Sequence, residues 1–111
     1  MDRVKQYQKI LEHTLLRYAE YTPSHGNIEM YPIFDESRGH YLLLGIGWDR
    51  NGRVHSTLLH CRLQNGKVWL EQENTDTNVA EELVAAGIAK EDIVLGFYRP
   101  ERRALTEFAV V

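Results

Sequence analysis

The sequence is poor in the features that mark an exported or membrane-bound protein. It has one cysteine in 111 residues. A lone Cys61 cannot close an internal disulfide, which suits a reducing compartment. No apolar run approaches the roughly 20 residues that a membrane helix needs. The opening Met-Asp-Arg-Val-Lys-Gln-Tyr has no apolar core of signal length. These absences predict a soluble, cytoplasmic chain with no membrane contact. A basic surplus is missing too: 13 Lys and Arg stand against 16 Asp and Glu, a net charge of −3. Phosphate neutralisation supplies most of a protein's affinity for nucleic acid, so this balance disfavours direct DNA binding. The local basic run is Arg99, Arg102 and Arg103, interrupted by Glu101. Together with Arg53 these are the candidate contacts to DNA or to a partner.

What is present is an ordinary globular balance, with 43% hydrophobic and 26% charged residues. The length suits one domain over residues 1–111. Residues 3–21 carry Val4, Tyr7, Leu11, Leu15 and Tyr18 at three- and four-residue steps, which predicts an amphipathic helix. Breaker residues from Thr22 to Asn27 end it. Four strands are expected at about 28–34, 40–48, 53–64 and 67–73. Asn65-Gly66 is the two-residue hairpin signal. Residues 49–52 and 35–39 read as longer hairpin loops. Thr77 or Asn78 can cap a short helix from Val79 to Ala86, with Gly87 as its stop. Residues 89–92 suit one further helical turn, and 93–97 a short buried strand or extended run. Phe108 to Val111 is an apolar end suited to docking.

Closing these turns predicts a register. Gln64 pairs with Lys67, Leu63 with Val68, Cys61 with Leu70 and Leu59 with Gln72. Trp48 pairs with Arg53, Ile46 with His55, Leu44 with Thr57 and Leu42 with Leu59. Phe34 pairs with His40, Pro32 with Leu42 and Met30 with Leu44. One face then collects Ile28, Met30, Phe34, Leu42, Leu44, Ile46, Leu59, Cys61, Leu63, Val68 and Leu70, and the first helix should cover it. The other face holds Tyr31, Ile33, Tyr41, Leu43, Val54, Leu58 and Trp69, with His60, Arg62 and Glu71 among them. A patch of this kind needs a cover. The candidate interface is Tyr31, Ile33, Tyr41, Leu43, Leu58, His60, Arg62 and Trp69. A twofold homodimer burying Tyr31, Tyr41, Leu43, Leu58 and Trp69 is the expected cover; the C-terminal segment is its main rival, and another protein the third source. The expected fold class is α+β: an N-terminal helix on a four-stranded or larger antiparallel meander sheet, a short second helix and a C-terminal extended segment.

Chemistry-bearing residues form no recognisable constellation. His13, His25, His40, His55 and His60 show no zinc-motif spacing, and Cys61 has no CxxC partner. His60 opposite Glu71 reads as a sheet contact rather than a metal site. Cys61 on the core face reads as an inert small hydrophobe rather than a nucleophile. Glu71, Glu73, Asp76, Glu81 and Glu82 flank a turn and a helix start, so capping or solvation outweighs acid–base work. An acidic surface of this kind can also dock on a basic partner. Gly45 and Gly47 lie inside a strand and are no nucleotide fingerprint. Arg62 opposite Trp69 can stack as a cation–π pair. No catalytic residue, metal or cofactor is expected; the alternative of a small enzyme requires a deep pocket holding His55 or His60 with a carboxylate.

The string from Phe34 through Asp35-Glu36-Ser37-Arg38-Gly39-His40-Tyr41-Leu42 to Leu43, followed by Gly47-Trp48, resembles the XisI family. So do Asn65-Gly66-Lys67-Val68-Trp69, the run from Ala80 to Val84, that from Lys90 to Phe97, and the closing Phe108-Ala109-Val110. The likeness covers nearly the whole chain. It implies an α+β fold with an antiparallel sheet. It also implies control of excision of the fdxN element, a DNA segment removed in cyanobacterial heterocyst differentiation. Action beside a recombinase and with a companion, XisH, is part of that implication. The resemblance supplies no catalytic residues.

Overall fold

The computed structural model describes residues 2–20, 27–75 and 77–111. Helix α1 runs Arg3–Ala19, with Glu20 as its C-cap; Tyr21, the expected end, lies outside the described residues. Asp2 caps it by accepting from Val4 N at 3.0 Å. The breaker residues 22–26, His25 among them, and Asp76 lie outside the described residues. Strands β1 (Asn27–Asp35), β2 (His40–Asp49), β3 (Gly52–Gln64) and β4 (Lys67–Glu73) follow. Helix α2 spans Val79–Ala86, a 3₁₀ turn Lys90–Asp92, strand β5 Ile93–Leu95 and a short helix α3 Pro100–Arg103.

The five strands lie in sequence order, β1-β2-β3-β4-β5. Strands β1 to β4 are an antiparallel meander, and β5 adds parallel to β4. The Asn65-Gly66 hairpin closes as expected, with φ of 55° and 77°, and pairs Gln64 with Lys67 and Cys61 with Leu70. Helix α2 has the anticipated bounds. Asn78 caps it through Glu81 N at 3.2 Å, and Gly87 follows its last turn.

The register departs from expectation in three places. Asp35, not Phe34, pairs with His40. Its side chain accepts from Ser37 Oγ at 2.9 Å and Arg38 N at 3.2 Å, and its carbonyl accepts from Gly39 N at 2.8 Å. These bonds close a tighter loop and move every β1–β2 pair by one residue. Two bulges do the rest. Between Leu43 and Leu44 the pairing shifts past Leu58, so Leu43, not Leu42, faces Leu59. Between His60 and Cys61 it shifts past Glu71, so Leu59 meets Glu73 and His60 meets Gln72 rather than Glu71.

Because side chains alternate, a one-residue shift exchanges the faces of β2. Tyr41 and Leu43, expected on the second face, are 1% and 2% exposed in the core. Leu58 also packs against the core. Leu42, Leu44 and Ile46 alternate with them and take the second face. Strands β1, β3 and β4 send Met30, Phe34, Leu59, Cys61, Val68 and Leu70 to the core as expected.

Helices α1 and α2 cover this core face. Leu11 and Leu15 of α1 and Leu83 of α2 are fully buried; each contributes about 1.5–3 kcal/mol of apolar transfer. A polar pin adds direction. Tyr7 Oη donates to the buried Asp92 at 2.6 Å, Arg3 reaches the same carboxylate at 2.9 Å, and Ala89 N donates to Tyr7 Oη at 3.3 Å. The start of α1 is thereby fixed to the turn before β5.

Candidate partner-binding face

The second face of the sheet divides into two halves. Over β4 and β5 it is covered by the chain itself. Val94 pairs with Trp69 and is fully buried, and a parallel bridge to Ala109 ties the C-terminal segment along the outer edge of β5. Two guanidinium groups lie over the Trp69 ring, Arg62 at 5.1 Å and Arg103 at 5.2 Å. Arg62 also donates to Glu71 at 2.9 Å. Arg103 binds the segment together. Its Nε donates to the carbonyls of Tyr98 at 2.9 Å and Leu95 at 3.2 Å, its Nη1 to Val110 at 3.1 Å and its Nη2 to Gly96 at 3.4 Å.

Over β1 and β2 the face is open. Tyr31 and Ile33 are 42% and 43% exposed, and Trp48 is 58% exposed. Leu42, Leu44 and Ile46 lie in the adjoining strand, half-buried, opposite Ile33, Tyr31 and Glu29. His40 and His60 close the patch on its β3 side. Their Nδ1 and Nε2 atoms are 3.1 Å apart, so one ring N–H donates to the other ring's lone pair. Burial first, and then the neighbouring His40, hold the His60 pKa below its usual value, with Glu71 opposing. A neutral His60 ring is therefore favoured, as an apolar surface requires.

Of the expected interface residues, Tyr31, Ile33, His60, Arg62 and Trp69 share this face; Arg62 and Trp69 belong to its covered half. Leu42, Leu44, Ile46 and His40 were missed there. The two bulges left no mark in the hydrophobic pattern, so alternation alone could not place them. The four candidate arginines separate as well. Arg53 lies exposed over Trp48 at 5.4 Å, and Arg102 over Tyr98 at 4.6 Å. Arg99 is exposed at the start of α3. Arg103 is held by carbonyls of its own chain.

The acidic stretch works mostly within the fold. Glu73 accepts from Val79 N at 3.2 Å at the start of α2. Glu82 pairs with Arg17 at 2.6 Å and accepts from Tyr18 Oη. Glu82, Arg17 and Tyr18 line a cleft of about 450 Å³ together with Met30, Leu43 and Leu58. Its described lining contains no histidine. Cys61 is fully buried, and burial pushes its thiol up to about 12. It is not a nucleophile at neutral pH. Among the described residues no three His, Cys, Asp or Glu side chains gather as metal ligands. No helix among them is long and apolar enough to cross a membrane.

One acidic contact carries a prediction. Glu12 Oε2 is buried with no hydrogen-bond partner. Burial, then the adjacent Glu36 carboxylate, holds the Glu12 pKa above its usual value, eased by Gln8 and His13. A carboxyl whose folded pKa is raised binds its proton more tightly when folded. Its contribution is therefore favourable below the unfolded pKa and is lost as pH rises through the folded one. Glu12→Gln is expected to raise stability at pH 7.5 by roughly 1 kcal/mol and to give no gain at pH 4. Urea unfolding at both pH values checks this; equal effects at the two would remove the carboxyl as the cause.

The family model described as XisI protein matches residues 1–110. The chain belongs to the XisI family. A crystal structure of a XisI-like protein from Anabaena variabilis ATCC 29413 is 37% identical, with a TM-score of 0.89 over 97% of this chain and 99% of that one. The fdxN element excision controlling factor XisI from the same organism is 36% identical, with a TM-score of 0.83 over 99% of this chain and 100% of that one. No functionally curated protein matches. The XisI fold is thus the arrangement described above: an N-terminal helix, a mostly antiparallel five-stranded sheet with one parallel pair, and short later helices.

Proposed function

We propose that this XisI-family chain is a non-enzymatic, cytoplasmic regulatory factor that controls excision of a DNA element through contacts with a XisH-like companion. The observation that carries this reading is the end-to-end likeness to an fdxN element excision controlling factor. The net charge of −3 supports an indirect role at DNA. So does the engagement of Arg103 with four carbonyls of its own chain, which removes it from the basic run.

Co-expression with a XisH-like protein and pull-down in mild salt tests the proposal. A stoichiometric complex is expected, with a gel shift of the excision-site DNA only when the companion is present. Absence of a complex overturns it. A salt-steep shift by this chain alone would transfer the function to direct DNA binding through Arg53, Arg99 and Arg102.

A further inference from the structure

We infer that the open half of the second sheet face is an interface with a second copy of this chain, packed face to face about a twofold axis running along β2. The inference does not depend on the companion proposed above. It starts from the shape of the patch. The strip from His40 to Trp48 is about 26 Å long, and three strands make it about 14 Å wide. Its apolar centre is Leu42, Leu44 and Ile46, flanked by the exposed Tyr31 and Ile33.

Charge selects the occupant. The open face is not of one sign, as a surface for a strongly charged partner would be. Acidic groups, Glu29 and Asp35, lie on β1; basic groups, Arg53 and Arg62, lie on β3, with the exposed His55 ring between them. Glu29, Ile46 and His55 lie in one row across the three strands. A twofold axis along β2 exchanges the β1 and β3 sides while keeping each row in place. Glu29 then stands over the partner's His55, beside the partner's Arg53, and this contact occurs twice. On the axis Leu42, Leu44 and Ile46 meet their own twins. The face is therefore complementary to itself in both apolar and charged parts.

The other route to self-association is blocked. β1 is the outer strand, and an open edge normally invites strand addition. Pro32 sits near the middle of β1 and has no N–H to offer a new neighbour. Association through the face leaves that edge unused. The footprint, roughly 350 Å² per copy, is about half that of a standard interface. A weak dimer is expected, with dissociation in the tens of micromolar.

Sedimentation velocity from about 1 to 300 µM provides the test. Wild type is expected to move from monomer to dimer across this range. Leu44→Glu and Glu29→Arg should each weaken association by tenfold or more with an unchanged circular dichroism spectrum. His55→Glu should do the same alone. An equimolar mixture of Glu29→Arg and His55→Glu chains should recover the dimer, since one contact becomes an Arg–Glu pair and the other is the wild-type Glu29–His55 contact. A wild type that stays monomeric at 300 µM, or a Leu44→Glu chain that dimerises normally, overturns the inference. A dimer that the mixture fails to restore overturns the twofold arrangement along β2.

Discussion

Gly39→Ala is expected to destabilise the protein by at least about 3 kcal/mol, a large share of the roughly 5–15 kcal/mol that holds a small domain together. Two effects add. Gly39 has φ +76°, in the left-handed region where a Cβ costs about 1–2 kcal/mol. A Cβ there would also stand 2.4 Å from the Leu63 carbonyl oxygen, a backbone atom that cannot swing aside. Leu63 N donates to Gly39 O at 2.8 Å, so relieving the clash pulls that bond apart. Gly66→Ala is the control. Its φ is +77°, nearly the same, but nothing lies within 4 Å of the added atom. It should lose only the conformational part. Urea unfolding of the two variants separates the terms: similar losses would mean that the close approach to Leu63 carries no weight.

The second large effect belongs to Arg103. Arg103→Ala removes donors to four carbonyls and a cation from the Trp69 ring. A loss of about 3 kcal/mol is expected, since hydrogen bonds from charged donors are worth roughly 1.5–3 kcal/mol each and water can replace some of them. Arg103→Lys should recover little, because an ammonium cannot reproduce the planar fork. A structural role for the C-terminal segment also predicts a local signal. In a Trp48→Phe background Trp69 is the remaining tryptophan of two. Its fluorescence should become more accessible to acrylamide in Arg103→Ala under conditions where the sheet is still folded. Unchanged quenching and unchanged stability would show that Arg103 does not hold the segment down.

Where turn chemistry was local, the fold was legible in the residues. Asn65-Gly66 set its hairpin because both residues accept positive φ. Asn78 and Gly87 bounded α2 because capping groups act within one turn. The exchange of faces in β2 was not legible. Asp35 is a common loop residue, and only its bonds to Ser37, Arg38 and Gly39 keep it in the ladder. The bulges at Leu58 and Glu71 answer to packing between distant strands, which hydrophobic alternation does not record. On β1, Tyr31 and Ile33, and on the far strands, His60, Arg62 and Trp69, lie on the side of the sheet that alternation assigned them. On β2 the face was read one residue out. The C-terminal segment was among the expected covers, but its hold over Trp69 was not legible, since it depends on Arg103 reaching carbonyls on both sides of α3.

The parallel pairing of β5 has a consequence for the order in which the molecule assembles. The three hairpins close over a few residues each, so β1 to β4 can form early. β5 must wait for the chain through residues 74–92 to fold back beside β4. The bond from Tyr7 to Asp92 spans 85 positions of sequence and closes only then. On a ribosome, α1 therefore emerges first and is pinned among the last, when the final third of the chain has been made. Until that moment the meander that its apolar stripe packs on has no fifth strand.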